Sequence, residues 1–259
     1  MADHGNVRVH LTTGVTLDVV LCGPADGEPV LFLHGFTDSW FSFSRVLELL
    51  PSGVRAIVPT QRGHGKSGKP DAGYQVADFA ADAVALLDTL RVDRATVVGH
   101  SMGSFIAQRL AAEHPSRVTR LVLVGSGTTA RMPPVIELAG AVKDLKDPVG
   151  VDFIRDFQMS TIHRAVPDAF LERVIRESTK VPAHVWRDVL AGLISNEGQT
   201  ELDRITAPTL VVWGDQDAFW PREAQDGLAR AIRDARLVVF GGTGHAPHWE
   251  EPERFVSVV

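Results

Sequence analysis

The chain has 259 residues, 44% of them apolar, enough to bury a full core in one globular catalytic domain without help from metals or disulfides. Its formal charge of -6 comes with Lys and Arg scattered rather than clustered, which excludes a basic stripe for nucleic acid and a polybasic membrane patch, and no apolar run approaches transmembrane length. The one cysteine, Cys22, excludes an internal disulfide; since Met1 to Gly5 show no basic-then-apolar leader pattern, the expected setting is reducing and cytoplasmic.

In chain order, Val7 to His10 and Val15 to Leu21 flank Thr12-Thr13-Gly14 and predict an antiparallel hairpin. Short, nearly all-apolar runs follow at Val30 to Leu33, Val54 to Val58, Ala95 to Val98, Leu121 to Val124, Leu210 to Trp213 and Leu237 to Phe240. Such runs suit strands buried on both faces of a mostly parallel sheet. Between them, Val76, Phe79, Ala80, Ala83, Val84, Leu87 and Leu90 recur at helical spacing, as do Phe105, Ile106 and the residues 109–112, and these predict crossover helices. The fold class is therefore α/β, a mostly parallel central sheet with helices on both faces.

The rhythm breaks between Gly125 and Thr209, a gap far longer than a strand-helix loop. Pro133-Pro134, Pro148, Pro167 and Pro182 are each followed by apolar residues at helical period, which predicts three or four short helices. An insert at this point would stand over the carboxyl ends of the strands, where open α/β sheets bind ligands. The expected division is a core of residues 1–126 and 201–259 with a helical cap, or lid, of residues 127–200. Pro252 begins a last helix whose abrupt end at Val259 leads us to expect a few further residues.

Chemistry enters at Gly99-His100-Ser101-Met102-Gly103, which lies between an apolar strand run and a helical one. Strand, tight turn with a serine, helix is the pattern of a nucleophile elbow, in which glycines two before and two after the serine avoid collision. A serine hydroxyl is a poor nucleophile at neutral pH and needs a histidine base oriented by a carboxylate. Both types follow strand ends downstream, in Gly214-Asp215-Gln216-Asp217 and in Gly241-Gly242-Thr243-Gly244-His245. The order serine, acid, histidine suits an elbow on a parallel sheet. No His-Glu-x-x-His or cysteine cluster supports a metal, and the run of Gly63, Gly65 and Gly68 lacks the Gly-Lys-Ser/Thr ending of a phosphate loop, so it reads as a turn.

Taken together, His34-Gly35-Phe36, Arg62-Gly63-His64-Gly65-Lys66-Ser67, Gly99 to Gly103, Gly214 to Asp217, and Gly244-His245 with Glu250 and Pro252 resemble the α/β-hydrolase fold superfamily, from about Val30 to Phe255 apart from the insert. The resemblance implies Ser101 as nucleophile, Asp217 rather than Asp215 as acid, and His245 as base. It also implies an oxyanion hole from the backbone N–H groups of Phe36 and Met102, a cap between the sixth and seventh core strands, and no cofactor. Thr60 departs from the family pattern, where an aspartate commonly stands at this structural position. His34 and His100 read as loop-shaping and packing residues, and His248 as a structural or pocket-wall residue.

The large apolar candidates for the substrate pocket are Phe36, Trp40, Met102, Phe157, Met159, Trp186, Phe219 and Trp220, which favours a hydrophobic ester or lactone as the small-molecule partner. Trp186 and Trp220 are the foremost of these, although helical spacing alone explains Phe157 and Trp186 equally well as core. A serine elbow disfavours haloalkane dehalogenation and epoxide opening, which need an aspartate nucleophile. The same triad leaves open a C–C bond hydrolase, a cofactor-free perhydrolase or haloperoxidase, and a hydrolase-like receptor for a small ligand.

Overall fold

The computed structural model describes residues 5–196 and 198–259, and the strand runs appear in it where the apolar pattern puts them. β1 (Gly5–His10) and β2 (Thr16–Cys22) pair antiparallel with Val7 opposite Val19. β3 (Glu28–Leu33) leads through the one-turn α1 (Ser44–Leu47) to β4 (Val54–Thr60). α2 (Val76–Thr89) starts with a capping box, in which the Gln75 N–H donates to Asp78 Oδ2 at 2.8 Å, and buries Val76, Phe79, Ala80, Ala83, Leu86 and Leu87. β5 (Ala95–His100), α3 (Met102–Glu113) and β6 (Val118–Val124) follow.

The long gap then holds α4 (Pro133–Ala141), α5 (Val151–Ser160), α6 (Asp168–Ser178) and α7 (Ala183–Ser195). Proline sets three of these starts: Pro133 and Pro134 stand in the first turn of α4, while Pro167 and Pro182 are the N-caps of α6 and α7. The chain closes with β7 (Thr209–Gly214), α8 (Arg222–Ala231), β8 (Ala235–Phe240), the single turn α9 (Pro247–Glu250) and α10 (Pro252–Val258).

The eight strands form one sheet in the order β1-β2-β4-β3-β5-β6-β7-β8, and only β2 runs against its neighbours. Parallel pairing aligns the carboxyl ends of β3, β5, β6, β7 and β8 along one edge. All functional loops predicted from the sequence leave from that edge. One apolar cluster includes residues of α2, α3 and the inserted helices, and a second one includes Phe43, Phe240 and Phe255.

The insert is tied to the edge by aromatic packing and by hydrogen bonds, among them one from a buried amide. Trp186 of α7 is fully buried and meets Phe36, Phe157 and Phe153 edge-on, with ring centres 5.1, 5.6 and 5.7 Å away. Gln158 of α5 donates to Thr37 Oγ1 at 3.1 Å. The helices between β6 and β7 therefore sit on the loop after β3, above the carboxyl ends of the strands.

Candidate active site

Ser101 occupies the sharpest bend in this edge. Its backbone has φ 52° and ψ -115°, a conformation that costs a side-chain-bearing residue about 1–3 kcal/mol. The bend persists because its flanks leave no alternative. A Cβ on Gly99 would lie 2.3 Å from the Gly103 carbonyl oxygen, and one on Gly103 would lie 2.0 Å from that of Leu33. The Ser101 N–H donates to Val124 O at 2.8 Å, which anchors the turn to the next strand. Met102 opens α3, so its N–H has no partner within the helix and points out of the positive end of the helix dipole.

The loop after β3 carries Phe36 and is also strained, since the β-branched, fully buried Thr37 has φ 64°. His34 holds the loop's base. Its Nδ1–H donates to Gly35 O at 2.8 Å, and its Nε2 accepts from the Gln61 N–H at 2.9 Å. Burial, with the neighbouring His64, lowers its pKa well below the ordinary range and keeps the ring neutral. Thr60 works in the same layer, its hydroxyl accepting from the Trp40 N–H at 3.2 Å. The Arg62 turn is held by a buried pair with Asp82 at 2.6 Å.

Acid and base come from the loops after β7 and β8. Asp217 Oδ2 accepts from His245 Nδ1 at 3.0 Å, and the carboxylate's other oxygen accepts from the N–H groups of Phe219 at 2.8 Å and Trp220 at 3.2 Å. The Asp217 side chain is fully buried and that of His245 nearly so. With Nδ1 bound to the carboxylate, the tautomer leaves Nε2 as the basic nitrogen. Trp220 stacks on the His245 ring at 5.3 Å and 19°. Asp215 does other work, accepting from the Gly242 N–H at 2.6 Å and joining the two loops.

Three contributors have no role assigned from the sequence, Glu250 standing there only among the residues that carry the resemblance. Gly125, with φ 56°, ends β6 where any Cβ would lie 2.8 Å from His245 Nδ1, so its bareness makes room for the ring. Glu250 accepts from the N–H groups of Gly244 at 2.8 Å, His163 at 3.3 Å and Arg164 at 2.7 Å, and so clamps the histidine loop to the end of the insert. Burial raises its pKa while those three donors oppose the shift. Asp38 is the third, a carboxyl only 3% exposed. The signal available for Glu250 was its place two residues before Pro252, and Asp38 lay two residues after Phe36; neither position announces a role.

Ser101, His245, Phe36 and Met102 share one cavity of about 40 Å³, walled further by Phe105, Phe157, Phe219 and Trp220. Of the predicted wall residues, Trp40, Trp186 and Met159 fall outside it. Trp40 packs edge-on against Phe41 with the Arg173 guanidinium 5.7 Å above its ring. Trp186 stands behind Phe36 and Phe157 as their support, and Met159, on the outer side of α5, is 48% exposed. His248 is buried among Phe43, His100 and Phe255, its pKa pushed down to about 3 by burial and by His245. Among the described residues, no three His, Cys, Asp or Glu side chains group to hold a metal ion, and no helix is long and apolar enough to cross a membrane.

A larger groove, about 450 Å³, opens at the opposite edge of the sheet, among Glu28, Thr96, Arg120 and Arg236. It holds no serine–histidine pair and lies at the amino ends of the strands, so its size does not make it the site.

The elbow and the acid and histidine loops share one sheet edge, and residues 30–258 match the profile of a known family. The chain belongs to the alpha/beta hydrolase family. It is 32% identical to the 2-hydroxy-6-oxononadienedioate/2-hydroxy-6-oxononatrienedioate hydrolase 2 of Pseudomonas putida, over 90% of this chain and 86% of that one. Among solved structures, it resembles an esterase from Exiguobacterium antarcticum with TM-score 0.86 and 25% identity, covering 98% of this chain and 97% of the other. The enol-lactonase of Burkholderia xenovorans LB400 shares the fold, with TM-score 0.84 at 21% identity over 97% of each chain. This alpha/beta hydrolase is thus similar to enzymes that break different bonds, and its own cavity has to supply the choice among them.

Proposed function

We propose that this hydrolase cleaves carboxylic ester or lactone bonds of a hydrophobic small molecule through an acyl-enzyme on Ser101. The observation that carries the reading is the buried Asp217–His245 pair, 3.0 Å apart, opening with the strained Ser101 into one apolar cavity. His245 takes the hydroxyl proton as Ser101 Oγ attacks the carbonyl carbon. The carbonyl oxygen becomes an oxyanion, received by the N–H groups of Met102 and Phe36, each worth about 3 kcal/mol in the transition state. His245 returns the proton to the leaving alcohol oxygen, and Asp217 stabilises the imidazolium between the two transfers. Water then attacks the acyl carbon, activated by the same histidine, and the acid departs.

Relatedness to the P. putida hydrolase favours a second reading, C–C bond hydrolysis of an oxo-dioate. The lining favours the first. Among the described residues around the cavity there is no Lys or Arg to meet a substrate carboxylate, while Asp38 would repel one. The cavity as it stands is narrow, with room for only a few waters. A panel of aryl esters and of small and macrocyclic lactones, run against wild type and Ser101→Ala with mass spectrometry of products and of Ser101, tests the reading. Ester or lactone turnover that disappears in Ser101→Ala supports it; undiminished turnover in that variant overturns it.

A further inference from the structure

Four polar side chains outside the acyl-transfer scheme interrupt the apolar lining of the cavity; one of them, Thr161, already donates its hydroxyl to Gln158 O at 2.7 Å, which leaves three. Asp38, His100 and Gln158 all line it and are 3%, 2% and 1% exposed. Gln158 Nε2 donates to Thr37 Oγ1 at 3.1 Å, Asp38 Oδ1 at 3.3 Å and Ser178 Oγ at 3.0 Å. Ser178 Oγ donates to Val174 O at 3.1 Å and accepts from Gln158, which agrees with the nitrogen end of the amide facing Ser178 and the Asp38 carboxyl. Among the described residues, Gln158 Oε1 is left buried with no donor.

His100 stands in the same position. Its Nε2–H donates to His245 O at 3.1 Å, so Nδ1 carries a lone pair, and that atom is buried without a donor as well. Asp38 Oδ2 lies 3.9 Å from it, outside hydrogen-bond range. Burial raises the Asp38 pKa to about 7, against the opposing pull of Gln158, and lowers that of His100, which His248 and His245 depress further.

Burying an acceptor without a donor costs about 1–3 kcal/mol, which a ligand recovers if it supplies the missing hydrogen. Either orphaned lone pair can accept the one hydrogen of an O–H donor, and neither offers a hydrogen to an anion. The patch adjoins the reacting centre: the His100 ring lies 4.9 Å from that of His245, and Asp38, His100 and Gln158 line the same cavity as Ser101. We propose that Asp38, His100 and Gln158 form a subsite for a substrate hydroxyl, so that the preferred ester or lactone carries a hydroxyl group close to its scissile carbonyl. The inference takes its reaction from the serine-hydrolase reading, but its binding claim stands without turnover.

The test uses pairs that differ by that hydroxyl: methyl mandelate against methyl phenylacetate, ethyl 3-hydroxybutyrate against ethyl butyrate, and α-hydroxy-γ-butyrolactone against γ-butyrolactone. Each pair is run for kcat/KM with wild type, Asp38→Asn and Gln158→Met, and for ligand-induced Tm shift with Ser101→Ala. Labelling of Ser101 by a fluorophosphonate confirms that each subsite variant is folded. The expected preference for the hydroxylated member is roughly 10–100-fold in at least one pair, falling towards one in Gln158→Met and reduced in Asp38→Asn. The Ser101→Ala protein shows the larger Tm shift with the same member. Equal treatment of every pair in both assays overturns the subsite, as does a preference that both variants keep. If no ester turns over yet the Tm shift favours the hydroxylated member, the acyl-transfer reading fails and the subsite stands.

Discussion

The two edges of the sheet make opposite kinds of hollow. At the amino ends of the strands lies a groove of about 450 Å³ bordered by exposed charges such as Arg120 and Glu28, which face each other at 3.4 Å. At the carboxyl ends lies a cavity of about 40 Å³, lined by a serine at φ 52° and a histidine pinned at Nδ1, beside a loop strained at a threonine with φ 64°. Volume marks the first edge and stored strain the second. Reactivity follows strain and pre-aimed donors because catalysis needs groups fixed before the substrate arrives, whereas an open groove fixes nothing.

The most severe way to break this contrast is Ser101→Ala, for which we expect kcat/KM on the best ester to fall by about 10⁴–10⁶-fold while the Tm stays at or above that of wild type. Steady-state kinetics with a melting scan checks it. Next comes the acid. Asp217→Asn should cost about 10⁴-fold by disturbing the His245 tautomer, whereas Asp215→Asn, which alters only the clip to Gly242, should cost less than about tenfold. Reversal of that order would move the acid to the other aspartate.

Asp38 sharpens the contrast through pH. Its carboxyl is raised from 3.8 to about 7, so the folded chain holds that proton more tightly than the unfolded one. The resulting stability is complete below about pH 4 and is lost as pH rises through about 7, a change of at most about 4 kcal/mol. Wild type should therefore lose Tm relative to Asp38→Asn between pH 5 and pH 8, which differential scanning fluorimetry reads directly; a constant difference would refute the burial argument. At the other edge we expect almost nothing. Arg120→Ala removes a pair whose side chains are 68% and 61% exposed, and should change stability by less than about 1 kcal/mol and kcat/KM by less than twofold.

Sequence disclosed the local devices better than the assembled ones. The elbow was legible because its constraint is carried by neighbours in the chain: Gly99 and Gly103 are required by the turn itself. Strands were legible from all-apolar runs, and the starts of α4, α6 and α7 from proline. Trp186 was misjudged because helical period gives one buried face without saying whether that face meets substrate or another aromatic, and here it meets Phe36 and Phe157. Trp40 was named for its size alone, and size does not say which way a ring faces; here it packs against Phe41 and under Arg173. Asp38 and Gly125 were silent, and Glu250 stood in a motif without a role, because what they do arises from distant partners: Gln158, His245 and the loop 163–164. Such pairings have no periodic trace.

The central claim is that the strained serine, and not the larger groove, carries the chemistry. Rapid quench of the enzyme with an aryl acetate, followed by digestion and mass spectrometry, tests it most directly. We predict one acetyl group on the peptide that contains Ser101, formed in a burst stoichiometric with enzyme and absent from Ser101→Ala. Acetylation elsewhere, or aryl ester hydrolysis at an undiminished rate by Ser101→Ala, would contradict it.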